Sequence, residues 1–362
     1  LNDGHGAVTI GSIEVSITEK GFEQGFRPKY AEKMLGKTVG IIGSGPAGLA
    51  CADFLLRAGV QPVIYEKADE AGGLLTYGIP SFKLEKASVQ RRIHILKSAG
   101  MEIHLNTEIG KDISFGELQT KHEAVFIGIG AMAGRVLDSE TYNTDNIYMS
   151  VPFLTNIQKK IEERTHDKKY NVTGKSVIVI GGGDTAMDCV RTSVREGAQQ
   201  VQCVYRRDET NMPGSRKEVK AAKEEGVEFV FQTTPKSFAS DEAGKVVGMK
   251  FVKTKLSEAD ESGRQKIIEI PNSEHIIEAE VMILALGFSN EKLKFFTDNN
   301  IELEEWGAVK VNEQGETSLK NVFAGGDAVR GADLVVTAAL DGREVALQIL
   351  ERIFAEEAVL IE

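Results

Sequence analysis

The sequence predicts an α/β protein made of two parallel sheets built on one plan, with an antiparallel β layer attached. Three observations predict it. A strand, a glycine-rich turn, a helix and a second strand follow one another in residues 38–66, and the same order recurs in residues 176–207. In both copies sixteen residues separate the first glycine of the turn from the glycine that stops the helix, Gly43 to Gly59 and Gly181 to Gly197. After the second copy, alternating apolar stretches such as 246–254 and 267–270 read as antiparallel strands.

Residues 1–36 alternate short apolar and polar stretches and read as an N-terminal connecting segment, helix-poor from Gly21 to Lys37. The first copy, TVGIIGSGPAGLACADFLLRAGVQPVIYE, then has the form of a dinucleotide-binding unit. Its turn and helix start are Gly43, Ser44, Gly45, Pro46, Ala47 and Gly48. Gly43 permits the tight turn, Gly45 lets backbone approach a pyrophosphate, and Gly48 lets helix and strand pack closely. Unpaired N–H groups and the helix dipole favour an anion there. Glu66, followed by Lys67, lies twenty-three residues after Gly43, where an acid accepts hydrogen bonds from an adenosine ribose.

The next stretch, EAGGLLTYGIPSFKL, has too many Gly and Pro for a long regular element. It is also too apolar to prefer water, so it reads as a loop that lays backbone along a flat ligand. Helical spacing resumes through Val89, Ile93, Ile95, Leu96 and Ala99, and 124–127 reads as a buried strand running into Gly128, Ile129, Gly130 and Ala131. A helix over 153–163 and a polar linker or exposed loop over 162–170 lead into the second copy.

There the turn positions are Gly181, Gly183 and Ala186, with Asp184 and Thr185 opening the helix. The first strand pair ends Tyr65-Glu66-Lys67, whereas the second ends Tyr205-Arg206-Arg207. An acid repels a ribose 2′-phosphate and two guanidinium groups clamp one, so the second unit is expected to take NADP(H) rather than NAD(H). A short helix over 216–225 and the antiparallel strands follow, with 256–264 polar and turn-like. Strand 281–286 enters Gly287, where the chain returns to the first unit. A last strand leads to Gly325-Gly326-Asp327 and a long helix with Leu334, Ala338, Val345, Ile349 and Ile353 as packing positions. Asp327 is placed either to bind a polyol hydroxyl or simply to cap the turn.

Composition narrows the function classes. A chain of 362 residues has length for two or three domains. Glycine, at 37 residues, exceeds the usual ~7% and fits repeated phosphate-binding turns. The net charge of −11 argues against nucleic acid and gives no support to an anionic membrane partner. Cys51, Cys189 and Cys203 are isolated, with no CxxC, so neither a dithiol centre nor a cysteine-ligated metal site is expected, and buried packing in a reducing cytoplasm is. The six histidines are scattered, and no metal-ligand cluster or catalytic triad is visible, so no side chain is assigned as catalytic. No signal peptide or membrane span is read. Because the chain starts at Leu1, an N-terminal piece is expected to be missing.

The motifs GSGPAGLA, GGLLTYGIPSFKLEK, VIVIGGGDTAMDCVRTSVREGA with VYRRDETNMPGS, and AGGDAVRGADLVVTAALDGR cover nearly the whole chain. Together they resemble the two-dinucleotide-fold flavoprotein oxidoreductases, and within them the small-subunit branch of the NADPH-dependent bacterial glutamate synthases. The resemblance implies two Rossmann-like domains, with the NADPH-binding domain (151–287) inserted in an FAD-binding domain (37–150 and 288–362). It implies FAD at Gly43, Gly45, Gly48 and Glu66, with Gly73 and Leu74 along the cofactor and Gly130 in the crossover. Asp327 is then at the ribityl chain, and Thr337 and Ala338 at the pyrimidine end of the flavin. NADPH takes Gly181, Gly183, Asp184, Thr185, Arg206 and Arg207, while Gly287 brings the second domain back to the first.

The implied activity is oxidation of NADPH by the flavin and delivery of single electrons to an iron–sulfur acceptor, the partner being a glutamate synthase large subunit or another electron-accepting protein. Members of this branch carry iron–sulfur clusters on an N-terminal cysteine-rich segment. Those cysteines are absent here, so clusters are expected only in a missing segment or a partner. A start of the final helix near Thr337 places its positive end where a reduced flavin gathers negative charge. Three other readings stay open: a thioredoxin-type reductase, which needs a thiol pair this chain lacks; an NADPH:ferredoxin-type or electron-bifurcating subunit; and a non-catalytic docking subunit that keeps the fold.

Overall fold

The computed structural model describes residues 9–137, 146–242, 246–259 and 265–359. Its first sheet is parallel and five-stranded, in the order Val322–Ala324, Ala124–Ile127, Thr38–Ile42, Gln61–Tyr65, Glu102–His104. The second repeats the arrangement as Ile147–Met149, Val281–Leu284, Ser176–Ile180, Gln200–Val204, Glu228–Val230. In each, the strand before the glycine turn is central. Its sequence neighbour pairs on one side and a strand from far along the chain on the other, which opens a crevice at the carboxyl ends.

The central strands are continuous apolar runs because both faces are covered. On one face of the first sheet Val39, Ile41 and Ile64 pack with Leu49, Leu55 and Ile349 from helices. On the other, Ile42, Val63 and Tyr65 meet Phe115, Phe295 and Phe296. The antiparallel layer, Thr233–Ser240, Val246–Ala259, Gln265–Glu269 and His275–Glu278, covers one face of the second sheet, where Met249 and Phe251 pack with Ile178, Ile180 and Leu284.

Several expectations change. Residues 147–149, grouped by sequence with the first unit, hydrogen-bond into the second sheet. A helix spans Ile10–Glu23 within the segment read as a connection; none of its residues is buried, so no apolar periodicity announced it. Leu256 to Ala259 continue a strand rather than turning, since they pair with Gln265–Glu269; 260–264 lie outside the described residues. The last helix is Val335–Val359, and Leu334 just before it is 62% exposed rather than packed. Ala338, Val345, Ile349 and Ile353 are buried as expected. No helix among the described residues is long and apolar enough to cross a membrane.

Close contact between the helices Pro46–Arg57 and Val335–Val359 depends on Gly342. A Cβ there would lie 2.1 Å from the Ala47 carbonyl oxygen. Two connections join the sheets, and they pair with each other: Ala133–Gly134 runs antiparallel to Phe288–Ser289, and the Arg135 N–H donates to Gly287 O at 2.9 Å.

Candidate functional site: two cavities with adjoining linings

Each glycine turn ends in a helix whose cap is glycine, Gly45 before Pro46–Arg57 and Gly183 before Asp184–Arg195. Neither helix has a side-chain cap, so apart from Ala186, whose N–H donates to Gly183 O at 2.9 Å, and Pro46, which has no N–H, the first-turn N–H groups are open to an external acceptor. Nothing lies within 4 Å of a Cβ built on Gly45 or Gly183, so a ligand can approach the backbone at both. Gly48 has the opposite role. A Cβ there would stand 2.1 Å from Gly43 O, so the helix sits against the strand only because position 48 has no side chain.

The first cavity, with about 1180 Å³ of empty space, opens over this turn. It brings together Gly43, Ser44, Gly45, Pro46, Ala47, Glu66, Lys67, Gly73, Leu74, Gly130, Asp327 and Ala338. Gly48, Gly326 and Thr337 are not in the lining: Gly326 donates its N–H to Asp341 Oδ2 at 3.0 Å, and the Thr337 hydroxyl donates to Leu334 O at 2.7 Å. The Glu66 carboxylate accepts from Ser44 N at 2.9 Å, Ser44 Oγ at 2.6 Å and Ala68 N at 2.8 Å, so besides lining the cavity it braces the turn. Sequence reasoning missed Thr107, Ile109, Met132 and Leu293, from connections, and Phe295, from the short helix Lys294–Asp298, which also line it and carry no motif.

Asp327 is the informative polar group. Its Oδ1 is buried with no hydrogen-bond partner among the described residues, and burial pushes its carboxyl up to about 6. A buried acceptor left unpaired costs about 1–3 kcal/mol, which a polyol hydroxyl donating into the cavity would recover. Asp341 holds the loop by accepting from Gly326 N and pairing with Arg330 through Nε at 2.9 Å and through Nη2. With the uncapped helix at Gly45, this orphaned oxygen fits a cofactor carrying both a pyrophosphate and a polyol, as FAD does.

The second cavity, with about 1840 Å³ of empty space, contains Gly181, Gly183, Thr185, Arg206 and Gly287. Asp184 and Arg207 do not line it. Asp184 Oδ1 accepts from Ser215 N at 3.1 Å, and Arg207 Nη2 donates to Gln265 O at 3.0 Å. Of the two arginines expected to face a 2′-phosphate, Arg206 lines this cavity and Arg207 is engaged by the antiparallel layer. Arg206 has no side-chain partner among the described residues.

The linings of the two cavities adjoin along the chain. Asn290 lines the second and Glu291 the first; Arg330, Gly331 and Ala332 line the second and Asp333, Leu334 and Val335 the first. The apolar loop read as a cofactor cover has a second task that no motif signalled. Gly73 and Leu74 line the first cavity, but Tyr77 to Lys83 dock on the other unit. Lys83 pairs with Asp188 at 2.8 Å, Ser81 donates to Gln158 at 2.9 Å, and Arg164 donates to the Tyr77 hydroxyl at 2.8 Å. The Phe82 ring lies under Arg191 and Arg195, 4.5 and 4.4 Å from their guanidinium carbons.

The family model for pyridine nucleotide-disulphide oxidoreductases matches residues 37–342. The chain is 48% identical over 354 residues to the glutamate synthase [NADPH] small chain of Escherichia coli K12, a match spanning 96% of this chain and 75% of that one. Among solved structures, FprA from Mycobacterium tuberculosis in complex with NADPH superposes with a TM-score of 0.74 at 17% identity, covering 89% of this chain and 86% of FprA. The thioredoxin reductase of T. acidophilum superposes with a TM-score of 0.63 at 19% identity, covering 87% and 98%. At such identities the two structures speak to the fold.

Proposed function

The chain belongs to the pyridine nucleotide-disulphide oxidoreductase family, and from that premise we propose that it oxidises NADPH on a bound FAD and passes the electrons to a protein acceptor, as a glutamate synthase small subunit. The adjoining linings of the two cavities carry this reading. Residues adjacent in the chain, Asn290 and Glu291 or Ala332 and Asp333, line different cavities, which supports a reading in which the two cofactors lie side by side.

In this reading the FAD-binding domain is 37–150 with 288–362, less residues 147–149, which go with the NADPH-binding domain at 151–287. The Gly45 turn holds the FAD pyrophosphate, Asp327 the polyol, and Gly73 and Leu74 lie along the cofactor. The Gly183 turn holds the NADPH pyrophosphate, and Arg206 reads its 2′-phosphate. FAD, when bound, supplies the ability to take two electrons together and release them singly. The protein orients and screens: the N-terminal turn of Val335–Val359, whose Val335 and Ala338 line the first cavity, sets its positive end where negative charge develops.

The exit for electrons is outside this chain's cysteines. Cys51, Cys189 and Cys203 are free and buried, and burial alone pushes the Cys203 thiol up to about 12, so thiolate chemistry is closed to it at neutral pH. An iron–sulfur-bearing partner, such as a glutamate synthase large subunit in the cytoplasm, is the acceptor this reading requires. Anaerobic addition of NADPH to FAD-loaded protein tests it. The 450 nm flavin absorbance should bleach within seconds; a protein that retains FAD and stays yellow under excess NADPH would be a scaffold.

A further inference from the structure

Where the two linings adjoin, one side chain has an acceptor with nothing to accept from among the described residues. Asn290 donates both amide hydrogens, to Asp327 O at 2.8 Å and Ala328 O at 3.0 Å. Those bonds set the orientation of the amide, because the flipped form would place its oxygen against two carbonyls. Its Oδ1 is then buried with no partner among the described residues, in a residue lining the second cavity. Buried acceptors are seldom left so, and the omission points to a donor that arrives with a ligand.

Geometry says which part of the ligand. With the pyrophosphate at the Gly183 turn and the 2′-phosphate at Arg206, the remaining half of NADP(H) must extend toward the wall made by Phe288, Ser289, Asn290, Trp306 and Gly331. Arg330, also there, is engaged by Asp341. The hydrogen-bond donor on a nicotinamide ring is its carboxamide NH2. We infer that Asn290 Oδ1 accepts a hydrogen bond from the nicotinamide carboxamide and so fixes the ring's rotation against the first cavity, with Trp306 closing the same end. This rests on the reading that the second cavity binds NADP(H).

Trp306 supplies the probe: it is the sole tryptophan, 52% exposed, with its Cζ3 3.3 Å from a Cβ built on Gly331. On FAD-loaded protein, NADP+, its 3-acetylpyridine analogue, which lacks the amide N–H, and 2′,5′-ADP are titrated by calorimetry and by tryptophan emission. NADP+ should alter Trp306 emission and 2′,5′-ADP should not. Wild type should prefer NADP+ over the analogue by roughly twofold to tenfold, one net hydrogen bond. Asn290→Ala should abolish that preference and leave 2′,5′-ADP affinity unchanged. A preference that survives in Asn290→Ala, an absent preference in wild type, or equal emission changes with 2′,5′-ADP overturns the inference. If Asn290→Ala loses FAD, the wild-type comparison decides. Wild type that fails to bind 2′,5′-ADP at all instead refutes the NADP(H) site itself.

Discussion

Replacing Arg206 by Ala should weaken NADPH binding far more than NADH binding, and replacing Arg207 should do much less. Arg206 lines the second cavity with its guanidinium uncommitted among the described residues, whereas Arg207 is held on the Gln265 carbonyl at 3.0 Å. A charge-assisted hydrogen bond contributes about 1.5–3 kcal/mol, or roughly ten- to a hundredfold in affinity. Arg206 is exposed, so solvent screening holds the effect to the lower end, near tenfold, and added salt should shrink it. The assay is the ratio of kcat/KM for NADPH and NADH in wild type, Arg206→Ala and Arg207→Ala, at low and high ionic strength. The ratio should fall about tenfold in Arg206→Ala and by less than about threefold in Arg207→Ala. Equal loss with both nucleotides would refute the 2′-phosphate reading. Equal damage from both substitutions would refute the division of labour between the arginines.

Three further outcomes follow from the geometry. Gly342→Ala pushes a methyl to 2.1 Å from Ala47 O, and backbone must move to relieve it; a loss of about 1–3 kcal/mol in urea unfolding, with weaker flavin retention, is expected, and unchanged stability would show the helices tolerate separation. Asp327→Ala removes the orphaned acceptor in the first cavity and should loosen FAD by about tenfold or more, read by equilibrium dialysis; undiminished retention would sink the polyol assignment. His122, 6% exposed between Thr38 Oγ1 at 2.8 Å and the Tyr65 hydroxyl at 3.0 Å, has its imidazole pushed down to about 4 by burial. Folded chains then bind fewer protons here than unfolded ones, so the stability from neutral His122 is full above about pH 6.5 and falls by roughly 3 kcal/mol as pH drops to about 4. His122→Gln should flatten the pH dependence of unfolding across that window, and an unaltered slope would refute it.

The sequence by itself determined what depends on neighbours along the chain. Apolar runs ending in glycine, helices begun without a side-chain cap, and Glu66 against Arg206 at matching strand ends are local features, and local sterics and hydrogen bonding are enough to read them. It therefore foretold two parallel sheets on one plan and most of the turn residues that line the two cavities. Tertiary structure alone decided what depends on residues far apart. Asn290 meets Asp327 across 37 positions, Lys83 meets Asp188 in the other unit, and Arg207 is drawn to Gln265 on a distant strand. No period or motif marks such pairs, because the energy of each exists only after both partners have been carried into place by elements that fold for other reasons. The nearness of the two cavity linings, on which the proposed electron transfer depends, belongs to this second kind.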